Sequence, residues 1–188
     1  MKFKALFLIV LCGLFLSGYE YKYNVPKLDG TNNAVNRNNR GIMYMEMGYY
    51  AAAMTEFQIA ISLSPDATSS AAYYNNLGLL YIKLNNLNAA KECFEKATSL
   101  NPVFMEYYKN IVKTSEKAGT LNIDLNNYLA QINADSNNSQ AYLMAGLIYA
   151  QLGQKELAVG YLKRFVALEK LNFLSNAANK LIKELENK

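Results

Sequence analysis

The sequence predicts an all-α protein built from repeated helix pairs. Three observations carry that prediction. Only 3 Pro and 10 Gly punctuate 188 residues, in a chain rich in Ala, Leu and Asn, and so few breakers leave room for long helices. A pattern of Gly, aromatic, Ala, aromatic, Ala and Pro returns with a period of about 34 residues. Within each copy the pattern residues fall mostly three and four apart, the spacing of one helix face.

Composition also narrows the function. Apolar residues make up 52% of the chain and charged residues 18%, which excludes wholesale disorder. There is no His and no Trp, so His-based triads, His general bases and His metal ligands are absent. Two cysteines, Cys12 and Cys93, build neither a zinc site nor a disulfide framework. The net charge of +4 has no clustered basic face, and nucleic acid is not an expected partner. No phosphate loop, Ser-centred elbow or paired carboxylates occur. Asp124, Asp135 and Glu156 are scattered and read as caps and surface charge. The expectation is a non-enzyme with no cofactor and no metal.

Residues 1–18 read as an export segment. Lys2 and Lys4 give a positive start, residues 5–16 form an almost unbroken apolar run, and the small Ser17 and Gly18 follow. That is the build of a secretory signal, and the run is shorter than the roughly 20 apolar residues of a spanning helix. Cleavage after Gly18 and retention as a membrane anchor are the two alternatives. The bulky Leu11 before Cys12 argues against lipidation there. Cys93 reads as a small buried hydrophobe beside Phe94. Residues 19–33 lack periodicity and hold Pro26 and Gly30, as a flexible tether does.

The repeats follow. Residues 34–67 carry Gly41, Tyr44, Gly48, Tyr50, Ala53, Phe57, Ala60 and Pro65. Residues 71–104 carry Gly78, Tyr81, Asn85, Leu87, Ala90, Phe94, Ala97 and Pro102 at the same offsets, after a few extra junction residues. Residues 105–138 are a degenerate copy: Tyr108, Gly119 and Tyr128 hold their places, Val112 stands where Gly belongs and Asp124 where Ala belongs. Residues 139–172 return to the pattern with Gly146, Tyr149, Gly153, Ala158 and Leu162, with Phe165 and Lys170 replacing the second Ala and the Pro. Residues 173–188 predict a last helix whose apolar stripe includes Leu174, Ala178, Leu181 and Leu185. Its other face is Asn, Lys and Glu, as the end of a stacked array requires. The first repeat has no comparable polar end.

The spacing has a physical reason. Gly41, Gly78 and Gly146 let the first helix of a pair approach the second closely. Ala53, Ala90 and Ala158 do the same from the second helix. Tyr44, Tyr81 and Tyr149 are expected to fill the gap, answered by Phe57, Phe94 and Leu162. Pro65 and Pro102 stop each second helix.

This pattern resembles the tetratricopeptide repeat, over roughly residues 34–172. The resemblance implies a right-handed α-solenoid of about four helix pairs with a C-terminal capping helix. It also implies a concave groove along the first helices that grips a protein or peptide. The groove side here would carry Asn38, Ile42, Met45, Asn75, Leu79, Ile82, Lys109, Lys113, Leu143 and Leu147. Asn donates to and accepts from a peptide backbone, and the aliphatics hold side chains of an extended segment or helix. The expected function is a protein–protein scaffold or adaptor in a bacterial cell envelope, periplasmic or anchored through residues 1–18. The alternatives are a self-assembling structural protein of the envelope, hence a homo-oligomer, and a periplasmic chaperone-like helper for exported proteins.

Overall fold

The computed structural model describes residues 33–169 and 172–187, which belong to one compact unit that begins at Asn33. The export segment, the tether up to Asn32, Lys170, Leu171 and Lys188 lie outside the described residues. Among the described residues there are helices and no strand. The helices are α1 (Ala34–Glu46), α2 (Tyr50–Leu63), α3 (Ser70–Lys83), α4 (Leu87–Leu100) and α5 (Met105–Ala118). They continue as α6 (Leu121–Ala134), α7 (Ser139–Gln151), α8 (Lys155–Leu168) and α9 (Asn172–Glu186). Four pairs and a final helix make an all-α solenoid.

Asn side chains start three of the helices. Asn33, Asn86 and Asn138 accept the backbone N–H three residues on, at 2.8, 3.3 and 3.0 Å, which satisfies an otherwise orphaned donor of the first turn. Every first helix ends the same way. Gly48, Asn85, Gly119 and Gly153 adopt φ of 82°, 57°, 72° and 74°, a left-handed conformation that Gly takes without penalty and Asn tolerates. The next residue then donates its N–H five residues back: Tyr49 to Tyr44, Asn86 to Tyr81, Thr120 to Ser115 and Gln154 to Tyr149, at 2.8–2.9 Å. This closure recovers carbonyls at the helix end and turns the chain sharply into the second helix. The degenerate unit keeps it. The extra junction residues form a turn, 64–69, tied by the Ser70 hydroxyl donating to the Ser64 carbonyl.

Within three pairs the helices meet at the glycine. A Cβ at Gly41 would lie 2.5 Å from the Phe57 ring, at Gly78 2.6 Å from Phe94, and at Gly146 2.8 Å from Leu162. Ala53, Phe57 and Ala60, then Ala90, Phe94 and Ala97, then Ala158, Leu162 and Phe165, are all fully buried. The tyrosines differ from expectation. Tyr44, Tyr81 and Tyr149 are only half-buried, because the second-helix residue already occupies the space over the glycine.

The third pair departs from this plan. Val112 is buried where the others have Gly, and α5 and α6 scarcely touch. α5 instead packs chiefly against α4, and next against α7, and is the most enclosed helix of the unit, with eight buried residues. Tyr108 anchors its start by donating to the Pro102 carbonyl at 3.1 Å. Asp124, expected as a cap or surface charge, is buried and pairs with Lys91 of α4 at 2.7 Å. At the chain's end α9 lays Leu174, Ala178 and Ile182 against the core and points Asn176, Asn179, Lys180 and Lys183 to water. Lys163 of α8 ties Glu186 at 2.8 Å. Among the described residues no helix is long and apolar enough to cross a membrane.

Candidate functional site

The sequence-predicted groove residues divide into three groups. The first is an asparagine ladder between first helices. Asn76 of α3 donates to Asn38 of α1 at 2.8 Å, and Asn110 of α5 donates to Asn75 of α3 at 2.9 Å. Each bond joins the position three before the pattern glycine to the position two before it in the next unit. Asn38 is 7% exposed, so its carbonyl oxygen serves the stack. The ladder ends at α7, where Leu143 and Met144 hold the two positions.

The second group packs inward. Ile42 and Met45 lie against the core of Ala53, Phe57, Leu77 and Leu80, while Leu79 and Ile82 lie against the larger C-terminal core. Leu143 is 0% exposed and presents no surface.

The third group converges. Lys109 and Lys113 of α5 and Leu147 of α7 line a cleft of about 210 Å³. Val112, Ala150, Gln151, Leu181 and Leu185 complete it. Sequence reasoning did not place these five in the groove. Ala150 and Gln151 were within reach, one helical turn beyond Leu147. The apolar stripe that carries Leu181 and Leu185 predicts only a core-facing role; α9 brings them beside α5 and α7 as the third wall. Two ammonium groups thus stand over a floor of Val, Ala and Leu. Glu106 bridges both, at 3.3 Å from Lys113 and 4.0 Å from Lys109, with all three side chains substantially exposed. Gln151 donates to Glu116 at 2.8 Å, and Lys117 to the Ile82 carbonyl at 3.4 Å, which positions the far rim.

A second recess, of about 150 Å³, opens between α4, α5 and the start of α6. Lys91, Asp124, Thr114, Ser115 and Thr120 line it, with Leu87 and Ile123 among the apolar residues. Burial pushes the Asp124 carboxyl up, but hydrogen bonds and the Lys91 charge outweigh burial and hold it below its ordinary range. Lys91 reaches one carboxylate oxygen at 2.7 Å and the Thr120 hydroxyl donates to the other at 3.2 Å. A carboxylate held this way fastens helices together. Cys93 is half-buried, and burial, aided by the Glu92 charge, pushes its thiol up to about 11, leaving it protonated and poorly nucleophilic at neutral pH. Among the described residues no group of His, Cys, Asp and Glu is placed to hold a metal.

The sequence matches the tetratricopeptide repeat family over residues 36–67, 71–104 and 139–170, together more than half of the chain. The unmatched stretch between them holds the splayed third pair. Several solved structures are similar. One is a crystal structure of MamA, at 24% identity over 74% of this chain and 80% of that one, with a TM-score of 0.47. YrrB, a repeat protein with an unusual peptide-binding site, shares 16% identity over 81% of this chain and 80% of its own, with a TM-score of 0.48. A thermophilic repeat protein from Thermus thermophilus shares 22% over 81% and 80%, with a TM-score of 0.42. No curated protein matches the chain. The chain belongs to the tetratricopeptide repeat family, and its helix pairs form a protein-interaction scaffold.

Proposed function

We propose that this chain is an exported, non-catalytic adaptor of a bacterial cell envelope that holds an extended or helical segment of a partner protein against its first helices. The observation that carries the binding reading is the cleft between α5, α7 and α9, where an apolar floor meets a lysine rim. Small, mostly apolar recesses with a few placed polar groups are where ligand side chains gain most from leaving water. Export rests on the sequence of residues 1–18.

Cross-linking of a tagged full-length chain in intact cells tests both parts. One or two stoichiometric envelope proteins, recovered with a chain that begins near Tyr19 or is held in a membrane fraction, are the expected result. Exclusively cytosolic partners overturn the envelope assignment. A partner set unchanged by Lys113→Glu, an exposed substitution, overturns the cleft.

One further observation favours a second reading, self-assembly. The first pair exposes Val35, Met43, Met47 and Tyr49, whereas the outer face of α9 is mostly Asn, Lys and Glu, with Phe173 exposed at its start. A mass that rises with concentration in solution supports association through that end; a monomer at high concentration removes it.

A further inference from the structure

We infer that the α5–α7–α9 cleft takes a partner segment that carries a carboxylate beside bulky apolar side chains, and that Glu106 occupies the carboxylate's place until the partner arrives. This rests on the cleft being the binding surface, and it specifies the chemistry recognised there.

The charges that line the cleft are Lys109 and Lys113, with no acidic residue among the lining. One carboxylate, Glu106, serves both, one turn before Lys109 and two before Lys113 on the same helix. With Glu116 and Lys117 at the far rim counted, three lysines of α5 face two glutamates, which leaves one net positive charge around the apolar floor. An acidic side chain from a partner is the complement of that rim, and it improves steering as well as contact. The floor of Val112, Leu147, Leu181 and Leu185 has room for one or two side chains of Leu size, so the carboxylate must sit close to apolar neighbours. Glu106 is held by distances of 3.3 and 4.0 Å and its side chain is 60% exposed, an arrangement worth little on its own. It is therefore easily displaced. It is also a built-in competitor, since the partner's carboxylate gains the lysines only as Glu106 lets them go.

The test is fluorescence anisotropy on the full chain with two labelled amphipathic helical peptides of equal length. One carries Glu flanking a pair of leucines four apart, the other Gln in those places. The Glu peptide is expected to bind about fivefold more tightly than the Gln peptide, with the margin shrinking at high salt. Lys113→Glu should erase the margin. Glu106→Gln should widen it, because the competitor is gone. Circular dichroism confirms that each variant keeps its helix content. Equal binding of the two peptides, both lost on Leu185→Asp, overturns the acidic class while the groove reading stands. Binding of neither peptide overturns this proposal, and the groove reading is then decided by the cross-linking of Lys113→Glu. An unchanged or weaker Glu peptide on Glu106→Gln overturns the competitor role.

Discussion

A Cβ on Gly78 would meet the Phe94 ring at 2.6 Å, and Phe94 is fully buried. The ring is closed in, so Gly78→Ala forces overpacking rather than a simple rotation. It should destabilise the chain by about 1–3 kcal/mol. Phe94→Ala leaves a cavity in the same place and should cost about 3–5 kcal/mol. Tyr81→Ala should cost less than Phe94→Ala, about 2 kcal/mol, since that ring keeps part of its surface in water. Urea unfolding of the three variants decides the order; a Tyr81 loss equal to that of Phe94 would mean the tyrosine, not the phenylalanine, fills the gap. At this scale the sequence was legible as to which residues matter. It did not show which aromatic wins the space over the glycine, because that depends on side-chain volume against a fixed helix separation.

The third pair shows how one element is held when its pattern contact is missing. With Val112 in place of Gly, α6 does not seat closely on α5; it packs mainly against α7, and the Lys91–Asp124 pair ties its first turn to α4. Asp124→Asn should lower stability at neutral pH by about 1.5–3 kcal/mol, the range for hydrogen bonds to a charged group. The pH dependence has a definite sign. The folded carboxyl is held below its ordinary value, so its contribution is fully present above the unfolded pKa of about 3.9 and is lost as pH falls through the folded one. The gap between wild type and Asp124→Asn in denaturant midpoint should therefore narrow as pH falls from 6 to 3. A gap undiminished between pH 6 and pH 3 would show that the carboxylate charge is not what ties the start of α6. Sequence reading placed α6 but not its attachment, since Lys91 lies thirty-three residues away and no local spacing reports such a pair. The asparagine ladder was hidden for the same reason: its bonds cross units and shift by one position.

At the scale of the whole array, the helix pairs and the capping helix were legible because the pattern repeats. The third wall of the cleft was not, because it depends on where α9 comes to lie. In a stack, each helix is supported chiefly by its neighbours, and α9 neighbours both α8 and α5. Deleting residues 172–188 should therefore have graded effects. Leu162 and Phe165, in the core that Leu174, Ala178 and Ile182 complete, would lose cover, and amide exchange in α7 and α8 should quicken. The cleft would lose Leu181 and Leu185, and peptide binding should fall with it. α1 and α2 do not pack against α9 and carry their own core around Ala53 and Phe57, so their exchange should stay close to that of the intact chain. Hydrogen–deuterium exchange across the truncated chain separates two regimes. Acceleration confined to the C-terminal helices means that stability is a sum of neighbour contacts. Equal acceleration from α1 to α8 means that the unit unfolds as one body. The Asn38–Asn76 and Asn75–Asn110 bonds are then the first couplings to cut, because they link successive first helices directly through side-chain amides.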